Sequence, residues 1–264
     1  MSQNTSTNVN ALFKAAGEAG DLSQKSLQAL NIVDPGAQIQ RGLGVDVGDV
    51  TASEVTLVTL VIDDSGSIRF VSGNTEAVRE GHNGILAALD GSKQKDGILC
   101  HTRYLNKGVL YPYCALKDAL KMEASNYDPD GGTPLYDQAI VTLGAVIAKT
   151  QDFKDNGVPV RSVTAIVTDG ADTGSRASVA NVRALVEDML KQENHIVCGM
   201  GITDGSTDFK QVFKDMGIRD EWILTPTNDP KSIRKAFAVV SQSALRASQS
   251  AASFSKAALG GFGG

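Results

Sequence analysis

The sequence predicts an α/β protein with a doubly wound, mostly parallel sheet and helices on both faces. Two apolar runs carry this prediction, one at residues 55–62 and one at 162–168. Both are too short to span a membrane and lack a helical stripe, so each fits a strand buried on both faces. Further apolar runs alternate with segments of helical spacing along the chain. This alternation is typical of parallel sheets, because parallel strands need long crossover connections.

The length, charge and cysteine content of the chain exclude several classes of protein. The 264 residues suit one sizeable domain with extensions. The net charge of −5, without a Lys/Arg cluster, argues against a general binder of nucleic acids or anionic membranes. The N-terminus lacks the basic start and apolar core of a secretory signal, and no run reaches the length of a spanning helix. Cys100, Cys114 and Cys198 are odd in number and widely spaced, which predicts reduced thiols and a cytoplasmic protein.

Residues 1–52 differ in composition from the rest and predict a helical N-terminal extension and linker. Asn10 is a candidate cap for one short helix and Ser23 for another, before a turn at residues 34–36. Two such helices have too few apolar residues for a core of their own, so we expect them to dock on the main domain. The glycine-rich stretch 42–48 predicts a linker or an irregular edge strand.

Residues 53–245 are expected to form the main domain. Beyond the two apolar runs, strands are predicted at 97–105, 195–202 and 221–225, and helices at 75–91, 134–150, 176–193, 208–217 and 229–250. Gly81 and Gly84 favour a break in the first of these helices near His82. The segment between the second strand and Thr133 is less regular. It predicts an edge strand at 109–113 and a short helix at 116–123.

Residues 246–264 are rich in Ser, Ala and Gly and predict a flexible tail. We therefore expect deletion of residues 251–264 to leave the melting temperature unchanged. The terminal Gly-Gly is also a candidate recognition signal, and this alternative stays open.

Oxygen-bearing side chains follow the first apolar run at alternate positions: Asp63, Ser65 and Ser67. Ligands in open α/β sheets bind at the carboxyl ends of the strands, and a hydroxyl-rich turn with one carboxylate suits a hard cation. Alone the pattern is weak, because the same residues cap turns. Two other stretches point to the same edge, since Thr133 follows a glycine pair and the second apolar run ends at Asp169. Because oxygen-bearing residues appear at three separate strand or loop ends, a metal site is favoured over the interpretation that each residue only caps a turn.

This set of residues, in this order, resembles the von Willebrand factor A (vWA) domain with an intact metal-ion-dependent adhesion site (MIDAS). The resemblance covers roughly residues 53–245. It implies that Ser65 and Ser67 touch a divalent cation directly and that Thr133 joins them in one state of the site. Asp63 and Asp169 would act through waters or as hydrogen-bond acceptors for the hydroxyls. The expected ion is Mg²⁺, with Mn²⁺ and Ca²⁺ as alternatives.

The resemblance implies a metal-dependent protein-interaction module that binds an Asp or Glu of a partner through the cation. Neutral ligands would leave much of the ion's charge available to such a carboxylate. By analogy with bacterial relatives, the chain would be an intracellular adaptor for a complex such as a MoxR-type AAA+ ATPase. The alternatives are an RNA-binding or ribonucleoprotein scaffold, which the acidic balance disfavours, and an assembly component with a vestigial metal site. Asp64, Asp130 and Asp172 flank the predicted crevice at the carboxyl ends of the strands and are interpreted as solvated turn residues.

Enzymatic activity is not expected. A phosphotransferase that used Asp63 as its nucleophile would have a second acid two residues on, where Ser65 stands. A serine hydrolase needs a histidine partner and a Gly-x-Ser-x-Gly turn, and neither is visible. A zinc site from Cys100, His101, His195 and Cys198 is disfavoured, because the last two would point to opposite faces of one strand.

Overall fold

The computed structural model describes residues 8–32 and 36–263. Its core is a six-stranded sheet in the order β3-β2-β1-β4-β5-β6. All neighbouring strands are parallel except β2 and β3, which are antiparallel. The strands are β1 (Val55–Ile62), β2 (Ile98–Tyr104), β3 (Val109–Ala115), β4 (Val160–Thr168), β5 (His195–Gly201) and β6 (Ile223–Leu224). The predicted doubly wound α/β fold is confirmed.

The first apolar run forms a central strand. All eight residues of β1 are buried, as expected for a strand with neighbours on both sides and helices on both faces. Ile62, its last residue, pairs in register with Tyr104 of β2 and with Val167 of β4. The carboxyl ends of β1 and β4 therefore lie side by side, which brings the loops that follow them together.

Helices form a layer on each face of the sheet. The helices of the main domain are α4 (Asn74–Asp90), α5 (Leu135–Asp155), α6 (Val179–Lys191), α7 (Phe209–Asp215) and α8 (Pro230–Ser248). Helix α4 packs on α8, and α5 packs on α6. The break expected near His82 is absent from α4. Gly81 is instead a packing residue, because a Cβ there would lie 2.2 Å from the ring of Phe237.

The N-terminal extension is folded onto the main domain. Its helices are α1 (Val9–Glu18), α2 (Gln24–Ile32) and α3 (Gly36–Leu43), which pack mainly on α5 and α6. The sequence missed α3, which begins at Gly36; residues 34 and 35 of the expected turn lie outside the described residues. Asn8, and not Asn10, caps α1, since its side chain accepts hydrogen bonds from the N–H groups of Asn10 and Ala11.

The glycine-rich stretch after α3 passes along the edge of the sheet. Gly44 has a φ of 60°, and a Cβ there would lie 1.9 Å from the carbonyl oxygen of Tyr113 in β3. The next residue, Val45, donates its N–H to that oxygen at 2.9 Å. Only glycine permits this approach, because it has no Cβ and tolerates a positive φ. The stretch thus shields one edge of the sheet without forming a strand of its own.

Two further local predictions were wrong. Residues 116–123 do not form a helix beyond a single 3₁₀ turn at Leu116–Asp118. The C-terminal segment is not an untethered tail over the described residues: Ala251–Gly260 forms α9, in which Phe254 is buried. Phe262 packs on Trp222 with ring centroids 4.9 Å apart. Because truncation would remove this packing, we now expect deletion of residues 251–264 to lower the melting temperature.

In the described part of the chain, every helix is too short or too polar to serve as a membrane span.

Candidate metal site at the carboxyl edge of the sheet

Two serine hydroxyls and one carboxylate meet where β1 and β4 end. The Oγ atoms of Ser65 and Ser67 lie 3.0 Å apart. Both hydroxyls donate to Oδ1 of Asp169, Ser67 at 2.7 Å and Ser65 at 3.3 Å. Residues two apart in the turn after β1 therefore converge on one oxygen of the residue that follows β4.

The carboxylate of Asp63 connects the turn after β1 with the end of β4 through hydrogen bonds. Its Oδ1 accepts the N–H of Ser65 at 2.7 Å, which folds the turn back over the end of β1. Its Oδ2 accepts the hydroxyl of Thr168 at 2.7 Å and the N–H of Asp169 at 3.3 Å. Asp63 is fully buried, so these bonds replace the water that an exposed carboxylate would have. It therefore ties the β1 turn to the end of β4.

Thr133 reaches the crevice from a third loop. A Cβ placed on Gly170, the residue after Asp169, would lie 2.9 Å from the Thr133 hydroxyl oxygen. The Thr133 backbone is fixed by two bonds to Thr173, N–H to Oγ1 at 2.9 Å and carbonyl oxygen to N–H at 2.8 Å. The structure thus brings the side chains of all five predicted site residues to one crevice: Asp63, Ser65, Ser67, Thr133 and Asp169.

The crevice concentrates negative charge. Burial raises the pKa of Asp63, and the hydrogen bonds from Ser65 and Thr168 oppose this only in part. Burial, together with repulsion from Asp63, raises the pKa of Asp169 to about 6. The groups that donate to both carboxylates are neutral hydroxyls and backbone N–H groups. A bound cation would offset the repulsion between the carboxylates of Asp63 and Asp169. Hard oxygen donors suit Mg²⁺, Mn²⁺ or Ca²⁺ better than a soft metal.

Several supporting residues were missed or misjudged from the sequence. Asp64 is completely buried, not solvated, and its carboxylate accepts the N–H groups of Asn106 and Lys107. Asp172 is half-buried and accepts the N–H of Tyr136 at 3.0 Å, at the start of α5. The Tyr127 hydroxyl donates to the carbonyl oxygen of Asp63 at 2.7 Å. These partners lie 36 to 64 residues apart in the chain, so no local pattern indicates them. Only Asp130, of the three flanking aspartates, is exposed as expected.

The histidines and cysteines hold other positions. His101 bonds through Nδ1 to the carbonyl oxygen of Tyr111, and His195 bonds through Nδ1 to the hydroxyl of Ser162. Burial lowers the pKa of His195 to about 4. Within residues 8–32 and 36–263, no group of three His, Cys, Asp or Glu side chains is placed to hold a metal. The oxygen atoms that the structure places at the crevice belong to the hydroxyls of Ser65, Ser67 and Thr133 and to the carboxylates of Asp63 and Asp169.

Fold and crevice together define a class, namely a doubly wound α/β domain with a hydroxyl- and carboxylate-lined crevice at the carboxyl ends of its strands. The sequence matches no known family model and no curated protein. Among solved structures, the chain is similar to the pilus adhesin SpaC of Lactobacillus rhamnosus GG in its open conformation. Identity is 13%, the TM-score is 0.53, and the match covers 74% of this chain but 30% of the adhesin. The adhesin shares the fold, and this chain spans less than a third of its length.

Two other structures match at lower scores. Mussel proximal thread matrix protein 1, solved with a zinc-occupied MIDAS motif, has 16% identity and a TM-score of 0.47 over 73% of this chain and 46% of its own. A von Willebrand factor type A protein from Catenulispora acidiphila has 16% identity and a TM-score of 0.48 over 74% and 44%. TM-scores below 0.5 do not establish a common fold, so these two comparisons carry no argument, whereas the comparison with the adhesin supports the fold assignment.

Proposed function

We propose that this chain is a vWA-type interaction module whose crevice holds a divalent cation and, through it, binds an Asp or Glu side chain of a partner protein. The convergence of three hydroxyls and two carboxylates from three separate loops carries the proposal. Ser65, Ser67 and Thr133 would supply neutral oxygens to the ion, and Asp63 and Asp169 would hold those hydroxyls in place. Mg²⁺ is the proposed ion, with Mn²⁺ or Ca²⁺ as alternatives.

The chemistry of the donors favours binding over catalysis. Because the hydroxyls are uncharged, a bound cation would keep most of its positive charge for an incoming carboxylate. Asp63 accepts three of the hydrogen bonds described above and Asp169 accepts two, which suits carboxylates that orient other ligands. Ser65 and Ser67 donate to Asp169 and not to a histidine base. We therefore propose an interaction module and not an enzyme.

The metal part of the proposal is tested by calorimetric titration of Mg²⁺ and Mn²⁺ into metal-stripped protein. Wild type should bind one ion, and Asp169→Ala should weaken binding about 10- to 100-fold, because the serine hydroxyls lose their common acceptor. Asp204→Ala is the matched control, since Asp204 also follows a strand end but, among the described residues, bonds within its own turn to Ser206 and Thr207. If wild type and Asp169→Ala titrate alike, the crevice is not a metal site.

The partner part is tested by capture of proteins from native extract with and without a chelator. We propose a cytoplasmic adaptor role, with a MoxR-type AAA+ ATPase as the first candidate partner. Capture should need both the ion and Asp169. A partner that is captured equally well in chelator and by Asp169→Ala would show that the binding surface lies elsewhere.

A further inference from the structure

A large aromatic side chain stands exposed beside the crevice. The turn that follows Ser65 is a 3₁₀ helix at Gly66–Phe70. Ile68 in this turn is 1% exposed and anchors it in the core, whereas Phe70 is 80% exposed. The Phe70 side chain therefore leaves apolar surface in water that a bound partner could bury. Because Phe70 lies next to the candidate metal ligands, a partner bound at the crevice is the group that would cover it.

The geometry of the turn directs Phe70 toward the same side as Ser67. A 3₁₀ helix has three residues per turn, so side chains three positions apart eclipse each other, separated by about 6 Å along the axis. Ser67 faces the crevice, because its hydroxyl donates to Asp169 at 2.7 Å. Phe70 therefore lies one turn further along on the crevice side of the loop.

The charged side chain next to Phe70, that of Arg69, is neutralised by an ion pair. Arg69 pairs with Asp130 at 3.3 Å, and both side chains are more than half exposed. Since each charge has a partner of opposite sign, neither gives the neighbourhood of Phe70 a net attraction for charged groups. An apolar group is the complementary contact.

We propose that Phe70 is a second contact point for the partner and selects an extended segment in which an apolar residue lies two positions from the acidic residue. In an extended chain, residues i and i+2 point to the same side and are about 6.6–7 Å apart. This distance matches one turn of 3₁₀ helix from Ser67 to Phe70. The inference rests on the proposed function, because the acidic residue must occupy the crevice.

The experiment measures binding of fluorescent seven-residue peptides to the full chain by anisotropy in saturating Mg²⁺. The reference peptide has one aspartate among Gly and Ser. Two test peptides add a leucine two positions before or two positions after the aspartate, and a third places the leucine directly next to it. We expect one of the two spaced peptides to bind about three- to tenfold more tightly than the reference. The adjacent leucine should give no gain, because it points to the opposite side.

Phe70→Ser should remove the gain while leaving affinity for Mg²⁺ and for the reference peptide unchanged. Leu259→Ser is the matched control, because Leu259 is equally exposed at 80% but lies on α9. If Mg²⁺-dependent binding of the reference peptide is intact but spaced leucine adds nothing, or Phe70→Ser keeps the gain, the role of Phe70 is overturned. If no peptide binds in an aspartate- and Mg²⁺-dependent way, the proposed function fails and this inference fails with it.

Discussion

Asp169 and Asp188 are both buried, but their surroundings change their pKa values in opposite directions. At the crevice, Asp169 is 4% exposed and its pKa is raised to about 6, by burial and then by repulsion from Asp63. On α6, Asp188 is 5% exposed. Burial alone would raise its pKa too, but hydrogen bonds from Ser23, Ser26 and Lys191 outweigh this and lower the pKa to about 2.

The difference separates a structural carboxylate from one suited to bind a cation. Asp188 accepts the N–H of Ser23 at 2.7 Å and the hydroxyl of Ser26 at 2.6 Å, and so fastens α2 of the N-terminal extension to α6. Lys191 supplies the opposite charge at 2.9 Å. Asp169 has hydroxyl donors but a like charge as its neighbour. Buried carboxylates whose environment disfavours ionisation are common at functional sites, whereas satisfied ones stabilise folds.

The largest expected effect is loss of the structural carboxylate. Asp188→Ala should lower the free energy of unfolding by about 2–4 kcal/mol, because the buried Ser26 hydroxyl and the Ser23 N–H lose their acceptor. Chemical denaturation measures this. Asp220→Ala is the control, since Asp220 also binds lysines, Lys210 and Lys214, but lies exposed in solvent. Equal stability of Asp188→Ala and wild type would show that the extension does not depend on this contact.

Asp169→Ala should have a different outcome. Without metal it should be at least as stable as wild type, because a buried carboxylate repelled by Asp63 is removed. Wild type should gain about 1.4 kcal/mol at a Mg²⁺ concentration ten times the dissociation constant, and the variant should gain far less. Thermal melts with and without Mg²⁺ measure both. A metal-free variant that is several kcal/mol less stable would mean that Asp169 is as structural as Asp188.

The comparison also predicts a pH dependence. Because the folded-state pKa of Asp188 lies below its ordinary value of 3.8, its contribution is present above pH 3.8 and is lost as the pH falls through about 2. The stability difference between wild type and Asp188→Ala should therefore shrink by on the order of 1–2 kcal/mol across this window. Urea denaturation at a series of pH values measures it. A difference that stays constant down to pH 2 would contradict the lowered pKa.

The smallest effect is expected from removal of metal. The core consists of apolar strands and long helices, so a chelator should leave the circular dichroism spectrum unchanged and remove only the stabilisation by bound ion. Loss of the spectrum would show that the ion is structural, in which case a surface that binds partners through the ion would lose its basis.

The strands and long helices could be predicted because their patterns are local. The apolar run that became β1 needs no partner to be recognised, and the same holds for the helical spacing in α5. Contacts between distant segments could not be predicted. The buried role of Asp64 depends on Asn106 and Lys107, and the role of Asp188 depends on serines more than 160 residues away.

Weakly patterned segments were misjudged for a related reason. Helix α9 is made mostly of small residues, with Phe254 and Leu259 as its large apolar side chains. Phe254 is buried, and Phe262, which follows the helix, contacts Trp222 only because the fold brings the two rings together. The five candidate site residues were predictable as a set, because strand ends of a parallel sheet meet at one edge. Their role as metal ligands remains a proposal, as do the domain boundaries at residues 52 and 245.

The edges of the sheet have a consequence for how the protein behaves at high concentration. An uncovered edge strand offers unpaired N–H and C=O groups to other molecules and promotes aggregation. Here β6 has only two residues, and α9 with Phe262 packs beside it through Trp222. At the opposite edge, Val45 takes one of the free carbonyl groups of β3. The segment around Val45 and the segment from α9 to Phe262 therefore each cover part of one sheet edge, and we expect removal of either segment to promote self-association.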